Sequence, residues 1–176
     1  RLSLVGSEMC IRDRCIDGSF WTLDANKGEL TRFEFVSDRD SLLRAEAISF
    51  DKDSILRALD FVAFNDTTFL IPDYSGDARF CWVNRQGKFL KKSGVIPSLN
   101  EEALKEARPA LAQAWRSFID YNPHNGVLVA ATQLGEVLEI YNLQNGFHRV
   151  CLGPKGEPEF KLAGGYAIPD GIMGFS

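Results

Sequence analysis

The sequence predicts an all-β chain of repeated four-stranded antiparallel sheets, and three observations predict it. Gly28, Gly87 and Gly146 recur at a fixed interval of 59 residues. Each sits in the same grammar: an apolar or aromatic alternating run, a turn carrying Asp or Asn, the glycine, then a second run. The three stretches read FWTLDANKGELTRFEF, RFCWVNRQGKFLKK and VLEIYNLQNGFHRV. Alternation puts every second side chain on one face of a strand, and a fixed period means one supersecondary unit copied along the chain.

Residues 1–14, RLSLVGSEMCIRDR, follow neither period and match no secretory pattern. They resemble translated sequencing-adapter sequence and are read as a non-native tail, so the propeller-type repeats are expected from residue 15 onward. Residues 15–36 supply half a unit, with strands at 20–23 and 30–35 around the Gly28 turn. A whole unit fills 58–92. Its first run, 59–64, ends at Asn65-Asp66, a tight-turn dipeptide. The second run, 67–71, is rich in β-branched and aromatic residues and stops at Pro72. The polar stretch DYSGDA is a loop, and the runs 80–83 and 88–91 flank Gly87.

A second whole unit fills 116–153, with strands at 118–121, 127–132, 137–141 and 147–152. Residues 170–176 open another, near Ile172. The connections between units are long: 36–58, 92–116 and 153–171. The middle one carries a helix signature. Ser98 with Glu101 fits a capping box, and Leu99, Ala103, Leu104 and Ala107 fall on one helical face. Pro109 suits the first turn of a second helix running to Trp115.

A lone sheet with two apolar faces cannot bury both, so copies must stack. Radial stacking of such sheets gives a β-propeller. The predicted fold is therefore a partial β-propeller of four-stranded antiparallel blades with a helical inter-blade insertion. The stretch ALAQAWRSFIDYNPHNGVLVAATQLGEVLEIYNLQNG and the ending GYAIPDGIMGFS resemble the TolB-like six-bladed propeller family of bacterial extracytoplasmic proteins, over about residues 15–176. The resemblance implies six blades, a periplasmic or cell-surface location, and a longer parent of the secreted or lipid-anchored kind, of which this chain is a fragment. Cys15 follows Arg-Asp-Arg, which is not the small-residue setting of a lipid anchor.

The net charge of −4 disfavours a nucleic-acid partner. No run of about 18 apolar residues is present to span a bilayer as a helix. Cys15, Cys81 and Cys151 lack metal-ligand spacing and read as small hydrophobes, and His124 and His148 have no ligand neighbours in sequence. No Gly-x-Ser-x-Gly elbow, P-loop or calcium loop appears. No catalytic, cofactor-binding or metal residue is therefore assigned, and no cofactor is expected.

Blade geometry places the loop between the second and third strands at the same end as the inter-blade connections. Asp73, Tyr74, Asp77, Arg79, Gln133 and Glu136 are the candidate ligand- or partner-binding residues of that end, beside the helical insertion. The function read from this is a binding or scaffolding propeller with a protein or carbohydrate partner. The alternative is a propeller hydrolase or lyase acting on a lactone or carbohydrate. Its site would lie mostly in further blades, with Asp66 or Asp170 contributing. A third reading is a structural role in an envelope complex.

Overall fold

The computed structural model describes residues 11–16, 18–36, 41–164 and 166–170; the strand expected near Ile172 lies outside them. Three four-stranded antiparallel sheets follow one another. The first holds β1 (Ile11–Ile16), β2 (Ser19–Asp24), β3 (Glu29–Val36) and β4 (Ser41–Ser49). The second holds β5 (Val62–Asn65), β6 (Thr68–Pro72), β7 (Phe80–Asn84) and β8 (Phe89–Ser93). The third holds β9 (Ser117–Asn122), β10 (Val127–Thr132), β11 (Val137–Asn142) and β12 (His148–Leu152). In each sheet spatial order equals chain order, which is the meander the two whole units predict. The architecture is that of a partial propeller.

Stacking explains the apolar pattern of the middle sheet. Four successive residues of β6, Phe69 to Pro72, are buried. Phe69 and Ile71 pack in one core with Trp21 and Leu23 of the first sheet. Leu70 points the other way, into a core with Ile119, Leu128 and Ala130 of the third. A strand buried on both faces loses its polar alternation, and each side chain so buried contributes about 1.5–3 kcal/mol.

The repeated turns share one chemistry. The Oδ1 atoms of Asp24, Asn84 and Asn142 each accept backbone N–H bonds from residues two to four positions on, at 2.9–3.1 Å. Such self-capping is why Asp and Asn recur in tight turns. The following glycines have φ of 62°, 80° and 77°, a region that costs other residues roughly 1–2 kcal/mol. Gly87 is further constrained, because a Cβ there would sit 2.1 Å from the Ser49 carbonyl oxygen.

The first sheet departs from the expected half unit. β2 and β3 flank Gly28 as β7 and β8 flank Gly87, so β1 answers to the second strand of a unit. β1 starts at Ile11, ahead of the expected start of the repeats at residue 15. β4 answers to none of the four strands; it is built from the 36–58 connection and pairs along β3 past a register shift at Arg32/Phe33. Each connection is thus built differently. The second forms α1 (Glu101–Glu106) and α2 (Arg108–Ala114), and the third forms the hairpin β13 (Phe160–Ala163) and β14 (Tyr166–Pro169). The expected Ser98 cap is corrected to Asn100, whose Oδ1 accepts from the Ala103 N–H at 2.9 Å. The Ser98 hydroxyl instead donates to Glu157 Oε2 at 2.6 Å, and Leu99 lies before the helix, 78% exposed. Pro109 stands in the first turn of α2, as expected.

A buried ion pair fastens the second sheet to the third. Arg79 Nε and Nη2 donate to Glu139 Oε2 at 2.8 and 2.5 Å, and Nη2 donates to Ser117 Oγ at 2.6 Å. The Tyr141 hydroxyl also donates to Glu139. Neither member of the pair is more than 1% exposed. Glu139→Ala is expected to lower stability by about 3–5 kcal/mol, because it strands a buried guanidinium. Arg79→Met with Glu139→Leu should be less destabilised than either single change, read as urea midpoints. Gly28→Ala and Gly146→Ala, with open space at the added methyl, should cost only the backbone strain of about 1–2 kcal/mol. Gly87→Ala should cost clearly more in the same denaturation series.

Candidate functional site

The loop-rich end is assembled by close backbone contact. The 73–79 loop abuts the start of α2, where a Cβ on Gly76 would lie 2.6 Å from the Arg108 carbonyl carbon. The Gln133 N–H donates to the Arg116 carbonyl at 2.7 Å, tying the β10–β11 loop to the residues that enter β9. The Arg79 N–H donates to the Ser93 and Gly94 carbonyls, both at 3.2 Å.

The six candidate residues share this end, but they do not converge on one point. Asp73 is buried and shapes its own loop, accepting from the Ser75 and Ala78 N–H groups, each at 3.2 Å. Asp77 is exposed and pairs with Lys92 Nζ at 2.7 Å. Hydrogen bonds from Lys92 and then Ser75 hold its carboxyl below the usual carboxylate range. Arg79 is consumed by Glu139. Glu136 is bonded to Lys155, whose hydrogen bonds hold its carboxyl below the usual carboxylate range, and its backbone carbonyl accepts from the Gly153 N–H at 2.7 Å. Gln133 is half-buried. Of the six, Tyr74 lines the cavity formed at this end.

That cavity measures about 410 Å³, within the range of ligand pockets. Its walls come from three successive connections and two intervening loops. Leu56, Arg57 and Leu59 precede β5, Gln113, Ala114 and Arg116 precede β9, and Phe160, Ala167 and Pro169 belong to the third-connection hairpin. Tyr74 and Leu134 come from the second-to-third-strand loops. Among the described residues, five buried side-chain polar atoms lack a hydrogen-bond partner, and two of them, the Tyr74 hydroxyl and Arg116 Nε, belong to residues lining this cavity. Desolvation pushes the Tyr74 phenol up to about 12, so it is a neutral donor.

The strand pattern does not mark this site, because most of its lining residues sit in the connections, which differ in structure from unit to unit. Asp66 lies in the β5–β6 turn and Asp170 follows β14, at opposite ends of the fold. They do not form one acidic pair. Asp170 is bonded to Lys161 at 2.7 Å. His148 stacks on Tyr141 with ring centroids 4.1 Å apart, and the His124 N–H donates to Asn122 Oδ1. Among the described residues no three His, Cys, Asp or Glu side chains are grouped to hold a metal ion, and no helix is long and apolar enough to cross a membrane.

The family model described as TolB-like 6-blade propeller-like matches residues 7–176. No curated protein matches the sequence. Among solved structures, hydrazine synthase of Kuenenia stuttgartiensis is similar at 10% identity and a TM-score of 0.46, over 90% of this chain and 40% of that one. A Bacteroides uniformis protein, provisionally titled a 6-phosphogluconolactonase, is similar at 14% identity and a TM-score of 0.45, over 88% of this chain and 45% of that one. The chain thus spans less than half the length of either.

Burial of ionisable groups in and beside the site makes the fold sensitive to alkali. Desolvation raises Tyr74 from 10.0 to about 12, Cys81 from 9.0 to about 12, and Tyr141 as well. A group whose folded-state value is raised contributes stability that is complete below its unfolded value and is lost as pH rises through the folded one. The urea midpoint should therefore hold up to about pH 9 and fall steadily between pH 9 and 12. Tyr74→Phe should blunt that fall, since it removes the ionisable phenol. A midpoint identical at pH 8 and pH 10.5 contradicts this.

Proposed function

The chain belongs to the TolB-like 6-blade propeller-like family, and from that premise we propose that it forms part of an extracytoplasmic ligand-binding propeller. Its ligand enters the cavity at the connection-rich end. The observation that carries the reading is the cavity itself: about 410 Å³, walled by three consecutive units, with apolar sides and a few polar atoms. Largely apolar pockets with few polar groups are the usual form of small-molecule sites. Loops displayed by a rigid scaffold are where binding residues gather. A protein or carbohydrate partner would present to this cavity a side chain or a terminal sugar. The family's character supports the extracytoplasmic location.

Ligand-observed NMR against a fragment library tests this on the intact chain. Leu134→Trp fills the cavity from a buried wall position. Hits on the unmodified chain that vanish in Leu134→Trp, with an unchanged circular dichroism spectrum, are the expected result. Hits that persist in the filled variant would refute the cavity as the ligand site.

A further inference from the structure

Arg57 and Arg116 are 59 residues apart, the same interval that separates the turn glycines. They therefore hold one position in successive units, in the connection leading into the first strand of each. A propeller is built by rotation about an axis, so equivalent positions near the inner strands face a common centre. Both arginines line the same cavity. We propose that Arg57, Arg116 and the Tyr74 hydroxyl form an anion site, and that the ligand of this cavity is a small organic oxyanion with an apolar body. The proposal rests on the cavity being the ligand site.

The chemistry of the lining is one-sided. Among the described residues no Asp or Glu lines the cavity, and none of them offers the cationic groups a wall carboxylate. The two unpartnered atoms there, the Tyr74 hydroxyl and Arg116 Nε, are both donors, and buried donors need an acceptor. The nearby buried acids are already engaged. Asp60 accepts from the Phe61 and Ile119 amides at 2.9 and 2.8 Å, and Glu139 takes Arg79. Arg57 is the one described non-glycine residue with a left-handed backbone, at φ 46°. Strain of that kind costs roughly 1–3 kcal/mol and gathers at functional sites. Leu56, Leu59, Leu134 and Phe160 offer the apolar surface for the ligand's body. Guanidinium is the side chain best suited to a planar carboxylate or a phosphate. The series ends with this pair inside the chain, for the next position, 175, is Phe.

The test uses fluorine NMR of the full chain with three probes: 4-fluorobenzoate, 4-fluorophenyl phosphate and the neutral 4-fluorobenzamide. At least one anion should bind about tenfold or more tightly than the amide, as a charge-assisted hydrogen bond implies. The preferred anion identifies the headgroup as carboxylate or phosphate. Binding should weaken by a similar factor in Arg116→Gln, Arg57→Gln and Tyr74→Phe, and stay unchanged in Lys105→Gln on exposed α1. Arg57 is exposed and Tyr74→Phe keeps its shape, so folding does not confound these two. Equal binding of amide and anions overturns the inference and leaves the cavity as a site for neutral ligands. Anion binding indifferent to all three substitutions also overturns it. So does the absence of binding by any probe while library hits still vanish in Leu134→Trp, which leaves the ligand-site reading standing.

Discussion

The arrangement of the second and third sheets depends on one buried charge pair. Arg79 leads into β7 and Glu139 lies in the middle of β11, and both side chains are shielded from water. Two charges leave water at a cost that a hydrophobic contact would not incur, so their attraction alone does not explain the pair. Geometry gives it a use. A guanidinium that also donates to Ser117 Oγ and the Trp115 carbonyl accepts one placement of β9 and β11 and disfavours sliding. Apolar faces such as those around Leu70 and Ile119 drive stacking but tolerate small shifts. The ion pair supplies the register that the oily contacts lack.

That division of labour recurs at the period of the repeat. The Asp60 carboxylate meets the Ile119 amide 59 residues away, and Ser98 meets Glu157 at the same separation. Contacts between copies of one unit fall naturally at one period, because each unit touches its neighbour through corresponding surfaces. The strands keep the repeat while the connections fold differently from one unit to the next. One becomes an edge strand, one a pair of short helices, one a hairpin. Variation concentrated in the connections is what lets a uniform scaffold carry an individual cavity.

The strands of the two whole units were legible because period two, turn dipeptides and glycine agree there. The 127–132 strand is bounded as the alternation and the flanking turns indicate. β4 was not legible: SLLRAEAIS has no clean alternation, and most of its described side chains are exposed at a sheet edge. The Ser98 cap failed for a tertiary reason, since a distant glutamate claims the hydroxyl that a local rule assigns to the helix. The candidate site was partly legible. Strand direction groups Asp73, Tyr74, Asp77, Arg79, Gln133 and Glu136 at the end that also carries the inter-blade connections. Which of them are spent depends on partners that strand direction does not reveal: local amides for Asp73, and for Arg79 a glutamate 60 residues on. Glu139 carried a visible signal, a carboxylate on the inward register of Val137 and Tyr141. Arg57 and Arg116 carried another, the shared 59-residue interval.

The central claim is that stacked blades create a ligand cavity where three connections meet, at the end away from the repeated glycine turns. Amide chemical-shift mapping with a bound fragment tests it most directly. The perturbed residues should cluster at Leu59, Tyr74, Gln113, Arg116 and Leu134, far apart in sequence and joined only by the fold. Perturbations centred instead on the turns at Gly28, Gly87 and Gly146 would contradict it.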